Sequence, residues 1–485
     1  MVRLALLCCL LLTSACAQDR DDGVTDIAFM GASENLQPDG VRLSYVQAHV
    51  RAATAQGLVT LDAEGQVVPA IAERWIVTDD GRSYIFRLRD IEVGEDERLS
   101  ASAVRNALME ATRRLDGTSV GRDLDKIRDI RAMTGRVIEV RLRSPMPGLL
   151  QLLAQPELAL RLPGAEVGPM QAVETDGVLA LDARSPQARG LPEQPGWEEQ
   201  VRPLRVYAVP ALDATRGFYD GAYDVVLGGT LANLPLADTG PLTRGTLRVY
   251  SATGLFGFDV REANGFLASA ETRRALSAAI DRQALLEPFN LGGWTPTTRF
   301  VPPALYGDTP PAERWEPDEI EQRRAALAQV AAQWSNDTGS RPSLALFLPA
   351  GPGSDILFAE LRGQLDGVGI ALERADGFAD ADLALRDRTA RYASPRWFLN
   401  QFACTVRQSM CDENADVLVD LASETADGAE QTSYLLEAET DLLAQNRFIP
   451  IGQPIRWALV RSGVEGFVEN AWGLHPLFPF SRAPI

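Results

Sequence analysis

Between positions 84 and 89 apolar and polar side chains alternate. Tyr84, Phe86 and Leu88 fall on one side, and Ile85, Arg87 and Arg89 on the other. A period of two over six residues predicts a strand with one face buried. Trp75, Ile76 and Val77 precede it and favour extended backbone. Asp80-Gly81 between them is a turn signal, because glycine accepts the positive φ of a tight hairpin. Residues 67–90 therefore read as a β-hairpin, entered from a short helical turn over residues 70–74. The stretch holds no nucleophile, metal cluster or phosphate loop, and its local pattern asks for nothing more than a hairpin.

The same reading extends along the chain. "DIAFMGASENLQPDG" predicts a short strand and then a polar loop, and residues 42–54 predict a helix. "RLSASAVRNALMEATRRL" is a helix capped by Ser100, with Val104, Ala107, Leu108 and Ala111 on one face. "VIEVRLRSP" is another alternating strand, and residues 164–200, rich in Gly, Pro and Gln, read as loop and edge strand. "PLRVYAVP" is a buried strand, "FYDGAYDVVLGG" passes from helix to strand, and "TLRVYSATGLFGFDV" reads as one long strand pair. "SAETRRALSAAIDRQALLE" is a helix with Leu276, Ala279 and Ile280 inward, and residues 317–334 form another. "RPSLALFLPAG" is a strand, "SDILFAELRGQLDGVGIALE" is helix then strand, and "ADLALRD" is a strand. Strands alternate with helices in both halves, which predicts an α/β class with mixed sheets.

The first residues break the pattern. Arg3 is followed by an apolar run of nine, Leu4 to Leu12, too short to span a bilayer. "LTSAC" then ends in small residues before Cys16, as in a bacterial lipoprotein signal; an ordinary secretory signal cleaved after Ala17 is the other reading. Residues 1–15 are thus expected to be a signal peptide and residues 16–25 a polar tether, lipidated at Cys16. Either way the chain is exported. Cys404 and Cys411, seven apart, then suggest a small-loop disulfide, with a pair of free thiols as the alternative. Formal charge is −19, from 47 basic and 66 acidic residues, a field that repels phosphate backbones and excludes nucleic acid as a natural partner. His49 and His475 are the only histidines; neither has a histidine at ligand spacing, so both read as surface or core-edge residues, and no metal or cofactor is expected. GxSxG, HExxH and a cysteine–histidine pair are absent.

Order along the chain is more informative than any one piece. "QGLVTLD", "GQVVPAIAERWIVTDDGRSYIFRLRD" and "LSASAV", then "FYDGAYDVVLGG", "FGFDVREANGFLASAETRRALSAAIDRQAL" and "LRGQLDGVGIAL", resemble in sequence and order the family 5 extracytoplasmic solute-binding proteins of bacterial ABC importers. The resemblance covers most of residues 24–480. It implies a two-lobe periplasmic-binding-protein-like fold with an extra lobe-I subdomain, in which the opening hairpin is scaffold. Lobe I would span 26–249, with the subdomain at about 45–163. Lobe II would span 250–455, and 456–485 would return to lobe I. "TLRVYSATG" and "IPIGQPIRWALV" would be the hinge crossings.

The resemblance also implies a function. The chain would be a lipid-anchored protein of the periplasm or cell envelope, monomeric and not an enzyme. It would enclose a short peptide or similar small solute and present it to an inner-membrane ABC permease. In peptide binders an acidic residue a few places before a "dP..F" segment receives the ligand's amine. Here "RDRTARYASPRWF" puts Asp387 eight places before Pro395, among Arg386, Arg388 and Arg391. The pocket candidates are Asn35 and Gln37 in lobe I and Arg386, Asp387, Arg391, Tyr392 and Trp397 in lobe II. An arginine fork suits a carboxylate, so a non-peptide anionic solute stays open beside a peptide. An exported carboxylate-dependent hydrolase is the rival class, since acids are plentiful and two buried carboxylates need no motif.

Overall fold

The computed structural model describes residues 23–483, except 32–34, 38–39, 95–96, 163–166, 238–244, 308–309, 316–318 and 407–410. Cys16, the leader and most of the tether lie outside the described residues, as does the start of the helix expected at 317.

The chain opens with β1 (Thr25–Met30) and α1 (Tyr45–Thr54). Ser44 and Gln47 form a reciprocal capping box at the start of α1. An excursion follows: β2 (Val59–Leu61), β3 (Val67–Pro69), β4 (Ala72–Val77), β5 (Ser83–Leu88), β6 (Glu92–Gly94), β7 (Glu97–Arg98), α2 (Ala101–Arg114), α3 (Ser119–Leu124), β8 (Ile127–Ala132), β9 (Val137–Leu142) and α4 (Leu149–Leu153). The chain then returns through β10 (Met170–Thr175), β11 (Val178–Ala183), β12 (Leu204–Val209), α5 (Ala211–Tyr219), β13 (Val225–Thr230) and β14 (Leu247–Ser251). A second unit runs β15 (Gly254–Val260), α6 (Ala270–Ala279), α7 (Arg282–Leu286), α8 (Ile320–Thr338), β16 (Ser343–Phe347), α9 (Pro352–Asp366), β17 (Ala371–Arg374), β18 (Leu383–Thr389), α10 (Pro395–Asn400), α11 (Glu413–Glu424), α12 (Gly428–Gln445) and β19 (Phe448–Gly452). β20 (Ile455–Val460) closes the list of strands.

The main sheets are both mixed, as the alternation of elements predicts. One has seven strands in the order β10-β11-β12-β1-β13-β20-β14, and the other five, β17-β16-β18-β15-β19. β1 is parallel to β12 and β13, whereas β20 runs antiparallel to β13 and β14. β1 is buried on both faces, with Ile27 and Phe29 in one apolar cluster and Ala28 in another. That double burial is why "DIAFM" reads as a continuous apolar run. The chain passes between the sheets twice, at Ala252–Thr253 and at Gln453–Pro454, and the Ala252 amide donates to Pro454 O at 2.8 Å. A four-stranded antiparallel sheet, β4-β5-β9-β8, carries the opening hairpin. It shares one apolar cluster with α10, α11 and α12, through Trp397, Phe398, Leu418 and Leu442.

Three local expectations are corrected. Residues 70–74 form no helical turn: the Ile71 and Ala72 amides donate to Gly57 and Leu58 carbonyls, and β4 starts at Ala72. A five-residue turn closes too few hydrogen bonds to compete with such partners. "TLRVYSATGLFGFDV" is not one strand pair, because β14 and β15 lie in different sheets. The helix expected over residues 269–287 is broken at Ile280, whose ψ is 118°, and Asp281 caps α7 by accepting from Ala284 N. Leu276, Ala279 and Ile280 are buried, as their spacing predicts.

Candidate functional site

β18, the turn after it and α10 carry Arg386, Asp387, Arg391, Tyr392 and Trp397. Strand alternation sends Arg386 and Arg388 to one face and Asp387 to the other. Arg386 Nε donates to Asp259 Oδ2 at 2.8 Å, and its guanidinium lies 5.1 Å from the Phe402 ring centre. Asp387 forms an ion pair at 2.7 Å with Arg456 of β20, tying the five-stranded sheet to the seven-stranded one. Arg391 pairs with Glu157, and its carbonyl accepts from Gln155 Nε2 at 2.9 Å. Tyr392 is fully buried and donates to Asp123 Oδ1 at 2.9 Å. Trp397 is fully buried edge-on against Phe398. Neither aromatic side chain presents surface to solvent in this arrangement. Asn35 and Gln37 are exposed on the loop after β1; Asn35 Oδ1 accepts from Gln37 N, and Asn35 O from Gln47 Nε2. The structure thus gathers the second group around partners from distant segments. It bonds Asn35 and Gln37 to each other and to α1 instead.

Four charged residues here escaped the sequence reading as site members: Asp123, Glu157, Arg388 and Arg456. Two left a signal. Glu157 is the one acid in the apolar run at 145–160, and Arg456 is a lone charge inside "PIRWALV". A charge in such a run is seldom buried without a partner. Asp123, with no surface exposure, accepts from Tyr392 and from Asn400 Nδ2, and burial pushes its carboxyl up to about 7. Lys126, the chain's single lysine, donates to Pro145 O at 3.0 Å, and burial pulls it down to about 7.

The histidines are core residues, not surface or edge ones. His49 and His475 are 0% and 1% exposed. His49 Nδ1 lies 2.8 Å from Tyr45 O, so it carries the proton; Nε2 then accepts from the His475 backbone N–H at 3.0 Å. Both ring nitrogens are used only in the neutral form. Burial lowers His49 to about 4 and His475 to about 3.

Two features leave room for a ligand between the sheets. β16 pairs with β18 only at Leu383 and Ala384. Among the described residues no strand continues that ladder, so from Asp387 to Thr389 one side of β18 faces no strand. A cavity of about 690 Å³ beside the crossings is lined by Leu247, Val249 and Tyr250 from one sheet and Phe289, Trp294 and Ile356 from the other unit. Among the described residues no cluster of His, Cys, Asp or Glu could hold a metal, and no helix is long and apolar enough to cross a membrane. Cys404 and Cys411 are bonded, with Cα atoms 4.8 Å apart.

Comparison with known proteins adds the following. Residues 197–409 match the model of bacterial extracellular solute-binding proteins, family 5 middle. A probable deoxycholate-binding periplasmic protein of Escherichia coli (strain K12) is 26% identical over 59% of this chain and 58% of its own length. A probable di/tripeptide-binding protein 5 of Pseudomonas aeruginosa (strain UCBPP-PA14) is 24% identical over 88% and 89%. The crystal structure of Haemophilus influenzae OppA in complex with RPPGFSPFR superposes with a TM-score of 0.78, at 16% identity, over 95% of this chain and 99% of that one. The last likeness concerns the fold.

Proposed function

We propose, from the premise that residues 197–409 are those of a family 5 extracellular solute-binding protein, that this chain captures a short peptide between its two main sheets and delivers it to an ABC-type permease. The observation that supports a peptide is the side of β18 from Asp387 to Thr389 that no strand pairs among the described residues. An extended backbone can add there as a strand, gaining main-chain hydrogen bonds whatever its side chains. Relatives described as binding proteins point away from an enzyme, and one is described for di- and tripeptides. Lobe I (26–249), lobe II (250–455) and the return at 456–485 are the moving parts in this reading, with closure about the paired crossings. Asn35 and Gln37 form one wall. Arg386, Asp387 and Arg391 form the other, with Tyr392 and Trp397 packed behind it. The chain works as an extracytoplasmic monomer, held to the membrane through a lipid on Cys16.

A second reading, a non-peptide anionic solute, draws on the relative described for deoxycholate. Thermal-shift screening of di- to pentapeptides against deoxycholate and simple organic acids separates the two. A ligand at a hundred times its Kd adds roughly 2.7 kcal/mol of stability. Peptides are expected to shift the melt; a shift from deoxycholate with none from any peptide ends the peptide reading.

A further inference from the structure

Resting on the solute-binding reading above, we propose that Arg388 is the ligand's anchor: a receptor for a carboxylate group of the bound solute. Each neighbouring arginine is already committed. Arg386 holds Asp259, Arg391 holds Glu157, and Arg456 holds Asp387. Arg388 has no ion pair or hydrogen-bonded side chain among the described residues, and solvent reaches it. It is no ordinary surface arginine, because Asp123 and Glu157, from two distant segments, and Arg391, three places on, lie close enough to act on its charge. Burial among these segments pulls its pKa down while leaving it open to solvent, as expected for a guanidinium at the wall of a cleft.

Charge balance gives the sign of the ligand. Around Arg388 two guanidiniums, Arg388 and Arg391, face two carboxyl groups, Asp123 and Glu157. Burial pushes Asp123 up to about 7, so it neutralises less than a full charge at neutral pH. The site is therefore locally positive in a chain of net charge −19. Buried polar atoms beside it, Arg391 Nε and Glu157 Oε2, lack hydrogen-bond partners among the described residues and mark the place as one built for a further polar group. Arg388 also lies on the segment of β18 that no strand pairs on one side. A solute laid along that side brings its backbone to the strand and its carboxylate to the fork. A guanidinium takes a carboxylate through two parallel hydrogen bonds, which is the geometry with the greatest strength for this pair.

The carboxylate has two sources, a peptide's own carboxyl group or a non-peptide organic acid. Titration calorimetry with tri-alanine, tri-alanine amide and succinate distinguishes them, on the wild type, Arg388→Ala and Arg388→Lys. Because the Arg388 side chain is exposed and has no hydrogen bond or ion pair among the described residues, both variants should melt with the wild type when unliganded. Tri-alanine binding that falls about tenfold or more on amidation, and by a similar factor in Arg388→Ala, supports the proposal with a peptide source. Partial recovery in Arg388→Lys ties the effect to charge. Succinate binding lost in Arg388→Ala, with neither peptide bound by the wild type, supports the proposal and ends the peptide reading. If tri-alanine and its amide bind equally and Arg388→Ala changes neither, the proposal is overturned while the peptide reading stands.

Discussion

At the scale of single residues the molecule is defined by ionisable groups that are held out of water. His49 and His475 sit at about 4 and about 3, below the 6.5 of a free imidazole. As pH falls, the unfolded chain takes up protons before the folded one does. Their contribution to stability is therefore complete above pH 6.5 and is lost between 6.5 and 4 to 3. With both rings contributing, the slope reaches about 2.7 kcal/mol per pH unit. Urea melts across that window should show it, and imidazole NMR signals should stay still above pH 5; a ring titrating near 6.5 would contradict the buried neutral pair. Lys126 offers a simpler check. Its amine, near 7, would react quickly if it could be reached, yet it is 4% exposed. Peptide mapping after treatment with an amine-reactive dye should find Lys126 unlabelled in the native protein and labelled after unfolding. None of this was legible in the sequence. A histidine or lysine carries no local sign of burial when its partners, such as Tyr45 O and Pro145 O, are backbone carbonyls.

At the scale of elements, pattern carried further. The spacing of Val104 and Leu108 fixed the buried face of α2, and Ser100 caps it as read. Asp80-Gly81 turns the hairpin of β4 and β5, with Gly81 at φ 64°. The break between β14 and β15 was not legible, because the residues on both sides favour strand equally. Which sheet each joins depends on β18, β19 and β20, about 130 to 200 positions away. Close contact between elements is also invisible locally. α9 begins against the turn at Leu231–Ala237: a Cβ on Gly353 would lie 1.9 Å from Leu231 O, whereas one on Gly363, later in the same helix, would meet nothing within 4 Å. Gly353→Ala should therefore cost about 1–3 kcal/mol in urea melts, while Gly363→Ala should gain up to about 1 kcal/mol from helix propensity. Equal effects would mean that the contact is not rigid. Removing the Cys404–Cys411 bridge by double serine substitution should cost about 2–3 kcal/mol, the entropy of so short a loop.

At the scale of the whole molecule, the family resemblance placed the fold, and the ion pairs that join its parts came only from the structure. Arg391 and Glu157 are 234 positions apart, and Asp387 and Arg456 belong to different sheets. Side-chain pairs at such range leave no trace in a single sequence. They also suggest how the parts are held. Asp387→Ala leaves Arg456, 8% exposed, without its carboxylate. It should lower stability by about 3–5 kcal/mol and enlarge the particle in small-angle X-ray scattering; an unchanged radius would show that the pair does not hold the sheets together. The position of β20 has a consequence in time as well as in space. Among the described residues it is the last strand of its sheet in chain order, yet it fills the gap between β13 and β14, pairing Val460 with Val225 and Leu459 with Leu247. Synthesis therefore delivers the other six strands, over roughly half a minute or longer, before the seven-stranded sheet can be completed. Strand order alone postpones completion of this sheet until β20 has been made, and an unfinished fold is the state in which a polypeptide can be threaded across a membrane.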